Sequence, residues 1–259
     1  MQKFKEISAK DNRLIKQTAL LQKSAKARKE SNLFVLEGLR ICKDAKAGGV
    51  VFDTLLVSKT AVEKQKADID ILAEISENCA VVTDDLFGKI SETKTPQGII
   101  AVARIPKSPV SVDNAGRYVA LEHMADPANI GAVARTAEAL GITGLIISGD
   151  SCDIYSPKAL RASMGTLIRI PTYFCDDISL FLEQNRLRGF ACVPTGGDEK
   201  ISDVRFANGD AVIIGNEANG LTEKTISGAY STVTIPRRGK AESLNAAAAA
   251  AIAMWELIK

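Results

Sequence analysis

The chain is long enough to bury a sizeable core, and its composition excludes several classes of protein. It has 259 residues, 46% of them hydrophobic, which suits one large domain or two smaller ones. With 33 basic and 31 acidic residues the net charge is +2, which excludes a polybasic nucleic-acid wrapper and an acidic tail protein. Aromatic residues make up 5%, too few for a broad stacking platform for single-stranded nucleic acid.

Histidine and cysteine are placed in a way that excludes the usual metal sites. The chain has one histidine, His123, and five cysteines with no Cys-x-x-Cys pair, so zinc fingers and paired-histidine sites are ruled out. An odd number of scattered cysteines, after an N-terminus without an apolar signal segment, indicates a reduced, cytoplasmic protein. The longest apolar run, residues 246–255, is about half as long as a membrane span. We therefore expect a cytoplasmic protein with no metal and no membrane segment.

The charge is unevenly distributed along the chain. Residues 1–30 carry nine basic and three acidic side chains, a net charge of +6, whereas the remainder has a net charge of −4. Leu14, Thr18, Leu21 and Ala25 recur with helical spacing, which predicts one helix with a weakly apolar stripe. Two interpretations stay open: a basic helical arm that follows nucleic-acid phosphates, or a helix whose charged face is only solvated.

Residues 31–105 predict a small α/β domain, because short β-rich runs alternate with helical segments. The predicted strands are 33–36, 50–57, 80–83 and 98–105, and the predicted helices are 38–47 and 61–76. Residues 106–116 are rich in proline, serine, aspartate, asparagine and glycine. That composition is typical of a linker between domains.

Residues 117–259 predict a second, larger α/β domain. The predicted strands are 117–122, 144–147, 168–173, 190–193, 211–214 and 232–235. The predicted helices begin near Asn129 and cover 157–164, 178–185, 222–228 and 244–258. This alternation predicts a mostly parallel sheet covered on both faces, with a ligand site in loops at the carboxyl ends of strands. The glycine motifs of Rossmann dinucleotide sites and of P-loops are absent from the sequence, so neither kind of nucleotide site is supported.

The first candidate site loop is residues 122–135, which join a strand to a helix. Asn129 is predicted to cap the helix, and Gly131 leaves its first turn open to an incoming group. Arg135 lies off the apolar face of that helix, where a guanidinium is suited to a phosphate. An ordinary solvated arginine is the alternative.

The second candidate loop is residues 213–221, where a buried strand runs into a turn. Gly215 and Gly220 permit close backbone approach on either side of Glu217, which lies at the carboxyl end of the strand. An ordinary β–α turn is the alternative.

The third candidate loop is residues 235–245, which lead into six consecutive alanines. Residues 242–245 are predicted to cap the last helix, and the small alanine side chains allow another backbone to pack closely. Arg237, Arg238 and Lys240 place positive charge beside the loop, which suits a phosphate-rich substrate. A plain alanine-rich helix with a capping box is the alternative.

Together, the three loops resemble the SpoU (TrmH-type) RNA 2′-O-ribose methyltransferases of the SPOUT superfamily. The motifs of that family match in order, at the residues Asn129, Gly131 and Arg135; Gly215, Glu217, Gly220 and Leu221; and Ile235, Pro236, Gly239, Ser243, Leu244 and Asn245. The match covers about residues 117–259. Residues 34–40 through 95–98 resemble the small substrate-binding domain of the family, which is like an RNA-binding ribosomal protein. Where many members have Ile-Pro-Met, this sequence has Arg237.

The resemblance implies a fold, a cofactor and an assembly. It implies a trefoil-knotted, mostly parallel C-terminal domain that works as a homodimer and binds S-adenosyl-L-methionine (SAM). Carried over to this sequence, the cofactor-binding positions are Thr195, Gly196, Ile214, Gly215, Ile235, Leu244 and Ala246. Thr195 and Gly196 rest only on a loose turn pattern. The alanine-rich helix would then pack at the dimer interface.

The resemblance also implies catalytic roles for Asn129, Arg135, Glu217, Ser243 and Asn245. A ribose hydroxyl must attack the sulfonium methyl in line, which requires positioning and relief of the charge that develops on oxygen. Because a guanidinium gives up its proton very reluctantly, Arg135 is expected to hold the phosphate and stabilise the alkoxide rather than act as a base. Glu217, Ser243 and Asn245 are expected to orient the target nucleotide and support Arg135, in the same subunit or across the dimer.

The function implied is SAM-dependent 2′-O-methylation of structured RNA, with 23S ribosomal RNA favoured because the extra N-terminal domain is typical of ribosomal RNA members. A transfer RNA 2′-O-methyltransferase and a non-catalytic RNA-binding or ribosome assembly factor with the same fold are the alternatives. His123 is of a type that serves as a general base, but it precedes the first motif, so a structural role is favoured.

Overall fold

A computed structural model describes residues 4–259, which divide into two compact units. The described part of the first unit comprises residues 4–106 and Tyr155–Arg169. The second unit comprises Lys107–Ile154 and Ile170–Lys259. No helix within residues 4–259 combines the length and the apolar character that crossing a membrane requires.

Helices and strands alternate along most of the described residues. The α-helices are α1 (Arg13–Lys23), α2 (Ala25–Ser31), α3 (Leu39–Ala47), α4 (Lys59–Lys64), α5 (Lys66–Ala73), α6 (Asp84–Ile90), α7 (Pro127–Ala139), α8 (Pro157–Ala162), α9 (Ile178–Gln184), α10 (Glu223–Ser227) and α11 (Ala246–Ile258). The β-strands are β1 (Lys5–Ile7), β2 (Leu33–Glu37), β3 (Phe52–Ser58), β4 (Ser76–Val82), β5 (Ile99–Arg104), β6 (Tyr118–Leu121), β7 (Gly144–Ser148), β8 (Thr172–Cys175), β9 (Arg188–Cys192), β10 (Glu199–Lys200), β11 (Asp210–Ile214) and β12 (Ser231–Thr234).

The first unit is built on a mixed five-stranded sheet in the order β1-β4-β3-β5-β2. Strands β1, β4 and β3 are parallel, and β5 runs antiparallel to both β3 and β2. Ile7 of β1 and Ile15 and Leu21 of α1 are buried in the same apolar cluster as residues of β2 and β5. The described part of the predicted basic arm thus packs into the core of this unit. Residues 1–3 of that arm, Lys3 among them, lie outside the described residues.

The N-terminal segment forms two helices rather than the single predicted one. Ser24 is extended, with φ −116° and ψ 111°, and its side-chain oxygen accepts a hydrogen bond from the Ala27 N–H at 3.1 Å. Serine is a strong N-cap, so it ends α1 and begins α2. On α1, Ile15, Thr18 and Leu21 are buried, whereas Leu14 is only partly buried.

Of the other predicted elements, one helix is divided and one strand is shortened in the structure. The helix predicted over 61–76 is interrupted at Gln65, which leaves the helical conformation with φ −133° between α4 and α5. The strand predicted over 168–173 begins only at Thr172, because Pro171 has no N–H to donate to the sheet and Thr166–Ile168 form a 3₁₀ turn.

The second unit contains a seven-stranded, all-parallel sheet in the order β10-β12-β9-β11-β6-β7-β8. The alternating pattern predicted a mostly parallel sheet, without its strand order. The chain runs from β6 outward through β7 to β8 and then crosses to β9 on the opposite side. Strand β11 fills the position between β9 and β6. The carboxyl ends of β12, β9 and β11 therefore lie side by side, and α11 packs against β11 and α7.

Candidate active site

A cavity of about 330 Å³ lies at the carboxyl ends of β9, β11 and β12. Its walls include Val193 after β9, Ile214 at the end of β11 and Ile235 after β12. Leu244 and Ala246, which lead into α11, close another side. The cavity thus combines apolar side chains with the ends of parallel strands, where backbone groups can hydrogen-bond a ligand.

The turn after β11 is fixed by close contact between its two glycines. Asn216 and Gly220 exchange backbone hydrogen bonds of 3.0 and 2.9 Å. A Cβ atom at Gly215 would lie 2.3 Å from the carbonyl carbon of Gly220, so another residue at position 215 would collide with backbone. Gly220 itself has φ +70°, a conformation that favours glycine. This turn holds Glu217 at the cavity, where it is one of the lining residues.

The carboxylate of Glu217 accepts three hydrogen bonds from the loop and first turn at the start of α7. The Asn129 side-chain amide donates to Oε1 at 2.8 Å, the Asp126 N–H donates to Oε1 at 3.3 Å and the Ala125 N–H donates to Oε2 at 3.2 Å. Partial burial alone would raise the pKa of Glu217, but these hydrogen bonds outweigh it and keep the pKa below its ordinary value. Glu217 is therefore ionised at neutral pH.

Asn245 connects the third motif to the hydrogen bond between Asn129 and Glu217. Its amide Nδ2 donates to Oδ1 of Asn129 at 3.1 Å, while its own Oδ1 accepts from the N–H groups of Ala247 and Ala248 at 2.9 and 3.3 Å. Asn245 thus caps α11 and at the same time orients Asn129. The side chains of Asn245, Asn129 and Glu217, one from each motif, are therefore linked by a continuous series of hydrogen bonds. We call this series the hydrogen-bonded chain.

Helix α7 begins earlier than the sequence predicted. Its N-cap is Asp126, whose side chain accepts from the Ala128 N–H at 2.9 Å, and Pro127 is the first helical residue. The prediction that Asn129 caps this helix is therefore wrong. Because the cap is supplied by Asp126, the amide of Asn129 is free to bridge Glu217 and Asn245.

Arg135 and Ser243 occupy different surroundings. Ser243 is one of the residues that line the cavity. Arg135 is exposed on α7, is not a lining residue, and has no hydrogen-bond or ion-pair partner among residues 4–259. The structure therefore brings four of the five predicted catalytic residues together and leaves Arg135 apart from them within one chain.

Five of the seven predicted cofactor-binding residues line the cavity, and two do not. Ile214, Gly215, Ile235, Leu244 and Ala246 all line the cavity. Thr195 and Gly196, in the exposed loop after β9, are not among the lining residues, although their neighbour Pro194 is.

Three basic residues were expected to present charge beside the cavity, but Arg237 turns back onto the protein. Its guanidinium donates from Nη1 to the carbonyl oxygens of Ala241, at 2.8 Å, and Glu242, and from Nη2 to that of Pro194, at 2.9 Å. The neighbouring Arg238 and Lys240 are exposed.

Two residues that the sequence pattern did not single out support the site. Glu122, 5% exposed after β6, accepts from the Thr222 N–H at 2.8 Å and from the hydroxyls of Thr222 and Thr225, which fixes the start of α10. Asn216 accepts from the N–H groups of residues 218 and 219 and donates to the His123 carbonyl at 2.7 Å. An acidic residue at the end of an apolar strand was the signal in the sequence that could have indicated Glu122.

His123 is held by several contacts at once. It has φ +52°, its N–H donates to the Ser148 hydroxyl at 2.8 Å, and its Nδ1 pairs with a carboxylate oxygen of Asp150. These contacts position the loop before α7. Within the described part of the chain, no group of three or more histidine, cysteine and acidic residues is arranged to hold a metal ion.

Known protein families match both halves of the chain, and one of the matches includes all three motifs. Residues 116–255 match the SpoU rRNA Methylase family, and residues 12–101 match the MRM3-like substrate binding domain. The chain is 27% identical over 257 residues to the 23S rRNA (guanosine(2553)-2'-O)-methyltransferase RlmP of Bacillus subtilis, covering 98% of this chain and 99% of the relative. It is 30% identical over 268 residues to a 23S rRNA (uridine(2479)-2'-O)-methyltransferase of Streptomyces viridochromogenes, covering 98% and 92%.

A solved structure supports the same relationship. The AdoMet-bound rRNA methyltransferase from Sinorhizobium meliloti is similar with a TM-score of 0.85 at 27% identity, covering 98% of this chain and 97% of the other. The resemblance carried by the three motifs is thus confirmed, and the fold is that of these methyltransferases with their N-terminal domain. The chain belongs to the SpoU rRNA methylase family.

Proposed function

We propose that the protein transfers a methyl group from SAM to a ribose 2′-hydroxyl of 23S ribosomal RNA. The observation that carries the proposal is the hydrogen-bonded chain from Asn245 through Asn129 to Glu217, which joins all three family motifs beside the cavity. The relatives from Bacillus subtilis and Streptomyces viridochromogenes are named for this reaction on 23S rRNA, and both cover nearly the whole chain.

The cavity fits the adenosyl group of SAM in size and in chemistry. Its volume of about 330 Å³ lies in the range of small-molecule sites, and its apolar walls suit a flat heteroaromatic ring. Ile214, Ile235 and Leu244 would contact that ring, while Gly215 leaves the backbone accessible. SAM supplies an already activated methyl group on a sulfonium, so the remaining task of the protein is to position the ribose hydroxyl.

The side chains at the cavity are arranged for positioning. Glu217 is a fixed anion whose orientation is set by three donors, and Asn129 is held by hydrogen bonds at both ends of its amide. Ser243 adds a hydroxyl to the cavity wall. Arg135 would hold the phosphate of the target nucleotide and stabilise the charge that develops on the attacking oxygen.

The homodimer is part of this proposal. Arg135 is exposed without a partner among the described residues, so a neighbouring subunit can present it to a second cavity. Helix α11 also exposes two large apolar side chains one turn apart, Ile252 at 39% and Trp255 at 53%. Surface of this kind is suited to a second copy of the chain.

The trefoil knot, the domain limits and the location are also proposed. The insertion of β11 between β9 and β6, followed by the return of α11 onto β11 and α7, supports a knotted C-terminal domain. We take residues 1–30 as a basic arm, 31–105 as the RNA substrate-binding domain, 106–116 as the linker and 117–259 as the methyltransferase domain. The family matches over residues 12–101 and 116–255 support the two domains. Ribosomal RNA as substrate supports action in the cytoplasm.

The proposal is tested by incubating the full chain with labelled SAM and, separately, with purified 23S rRNA, 16S rRNA and tRNA. We expect label in 23S rRNA alone, recovered as a 2′-O-methylated nucleoside by mass spectrometry, and strongly reduced transfer by Arg135→Ala and Asn245→Ala. Label in tRNA alone would contradict the substrate. A chain that binds RNA but neither binds SAM in calorimetry nor labels any RNA would be a non-catalytic RNA-binding factor.

A further inference from the structure

Arg237 connects two loops that come from distant parts of the sequence. One loop follows β9 and contains Pro194; the other joins β12 to α11 and contains Ala241 and Glu242. The guanidinium donates to the carbonyl oxygens of all three residues. Because its donors form a rigid planar fork, a single arginine side chain can bind carbonyls on both loops at once.

Few other contacts fasten the loop of residues 236–245. Among residues 4–259, the hydrogen bonds made by side chains of this loop come from Arg237 and from Asn245 at its end. Residues 238–242 are exposed. Arg237 is therefore the main polar contact between the middle of the loop and the rest of the second unit.

Both fastened loops line the cavity. Pro194 belongs to one wall, Ser243 and Leu244 belong to another, and Arg237 is itself a lining residue between them. Hydrogen bonds from a charged donor are stronger than those between neutral groups, so the contact can hold the loops even where the surface is partly exposed. Position 237 is also where this sequence departs from the methionine of many family members, and a thioether cannot donate to a carbonyl.

We propose that Arg237 is a positioning residue for the cofactor: it fastens the loop of residues 236–245 to the loop after β9 and so holds the cavity in its binding arrangement. This inference rests on the proposed function, because it takes SAM as the ligand of the cavity. Arg237 acts through the two loops. Its removal should therefore weaken cofactor binding and leave the maximal rate largely unchanged once SAM is saturating.

The expected loss of affinity for SAM follows from the fraction of molecules whose two loops are in the binding arrangement. If the loops without the guanidinium adopt the binding arrangement about a tenth of the time, the apparent affinity for SAM falls about tenfold. Saturating cofactor restores the arrangement, so the change is expected in KM for SAM and not in kcat.

Arg238 provides a matched control on the same loop. It is exposed and has no hydrogen-bond or ion-pair partner among the described residues, so Arg238→Met removes the same charge without touching the connection between the loops. If Arg237 acted only through its charge, the two methionine variants would change the affinity for SAM equally.

The test compares the wild-type chain with Arg237→Met, Arg237→Lys and Arg238→Met by calorimetric titration with SAM. We expect a loss of about tenfold for Arg237→Met, a smaller loss for Arg237→Lys because an ammonium can still donate to part of the carbonyl set, and an unchanged affinity for Arg238→Met. Without ligand, tryptic cleavage after the exposed Lys240, followed by mass spectrometry, should be faster in Arg237→Met than in the wild type or in Arg238→Met. For that variant, KM for SAM should rise with kcat unchanged.

The proposal is overturned if Arg237→Met binds SAM like the wild type, or if Arg238→Met weakens binding equally. If Arg237→Met does not fold, Arg237→Lys serves in its place, and unchanged affinity and unchanged cleavage after Lys240 in that variant would likewise overturn the proposal. A wild-type chain that fails to bind SAM would instead contradict the proposed function. In that case an unchanged rate of cleavage after Lys240 in Arg237→Met would also reject the fastening role.

Discussion

Asn245 makes two kinds of hydrogen bond that one substitution can separate. Asn245→Asp keeps an oxygen for the N–H groups of Ala247 and Ala248, and a carboxylate is favourable at a helix N-terminus. The aspartate side chain cannot donate to Asn129, so the hydrogen-bonded chain from residue 245 to Glu217 is broken. We expect thermal stability close to that of the wild type and a methyl-transfer rate reduced about tenfold or more, measured by unfolding scans and initial rates.

Asn245→Ala serves as the control for this prediction. It loses the cap as well and should cost about 1 kcal/mol of unfolding free energy in addition to activity. An aspartate variant that is as unstable as the alanine variant, or one that is fully active, would show that the link to Asn129 does not matter for methyl transfer.

Glu217 makes the stability of the protein depend on pH in a definite direction. Its folded-state pKa lies below the ordinary value of 4.5, so the unfolded chain binds the proton more tightly. The stabilisation by the carboxylate is therefore complete above about pH 4.5 and is lost as the pH falls through the lower, folded-state pKa. Unfolding midpoints of the wild type and Glu217→Gln, measured across this range, should differ most at neutral pH and converge in acid. A difference that stays constant or grows in acid would contradict the assignment.

At the scale of residues, the sequence predicts which residues form the site better than it predicts the contacts that their side chains make. The motifs pointed to Asn129, Glu217 and Asn245, but Asn129 was predicted as the cap of α7, a role that Asp126 has in the structure. Arg237 was expected to offer its charge to a phosphate-rich substrate, but its guanidinium binds carbonyls of the protein, and one of these, that of Pro194, lies 43 residues away in sequence. Spacing along one element carries no information about such a contact.

The turn after β11 has a tightly constrained backbone. Gly215→Ala would place a Cβ 2.3 Å from the carbonyl carbon of Gly220 and 2.4 Å from the nitrogen of Leu221. Backbone atoms on both sides cannot give way without breaking the paired hydrogen bonds of Asn216 and Gly220. We expect a loss of about 1–3 kcal/mol in unfolding free energy together with loss of SAM binding, measured by chemical denaturation and calorimetry.

Gly239→Ala is the matched control, because a Cβ at that position meets no atom within 4 Å. Its stability should stay close to that of the wild type. If both alanine variants were equally stable, the close approach of Gly215 to Gly220 would not be a constraint on this turn.

At the scale of elements, apolar periodicity located the buried strands well and the helix ends less well. The fully buried strand β7 begins at the predicted residue. The breaks at Ser24 and Gln65 each depend on one polar residue inside a helical pattern, and the pattern alone does not show that the helix stops there. Helix α6 and the two-residue edge strand β10 were not predicted, because short segments give too few repeats to establish a period.

At the scale of the whole molecule, the sequence predicted a parallel sheet but not its order. Alternating strands and helices are compatible with many parallel arrangements, and the placement of β11 between β9 and β6 depends on contacts between residues far apart in the chain. That placement brings the second and third motifs to the same cavity. In the sequence analysis, the family resemblance predicted that the three loops form one site, whereas the hydrophobic pattern carried no information on this.

The separation of Arg135 from the other proposed catalytic residues gives a test of the whole assembly. If the chain is a homodimer, unfolding and refolding Arg135→Ala together with Glu217→Ala, each expected to be inactive alone, yields mixed dimers. If Arg135 reaches the cavity of its partner, each mixed dimer has one complete site, and random pairing restores about a quarter of wild-type activity. If Arg135 acts within its own chain, or if the protein is a monomer by light scattering, every site lacks one residue and the mixture stays inactive.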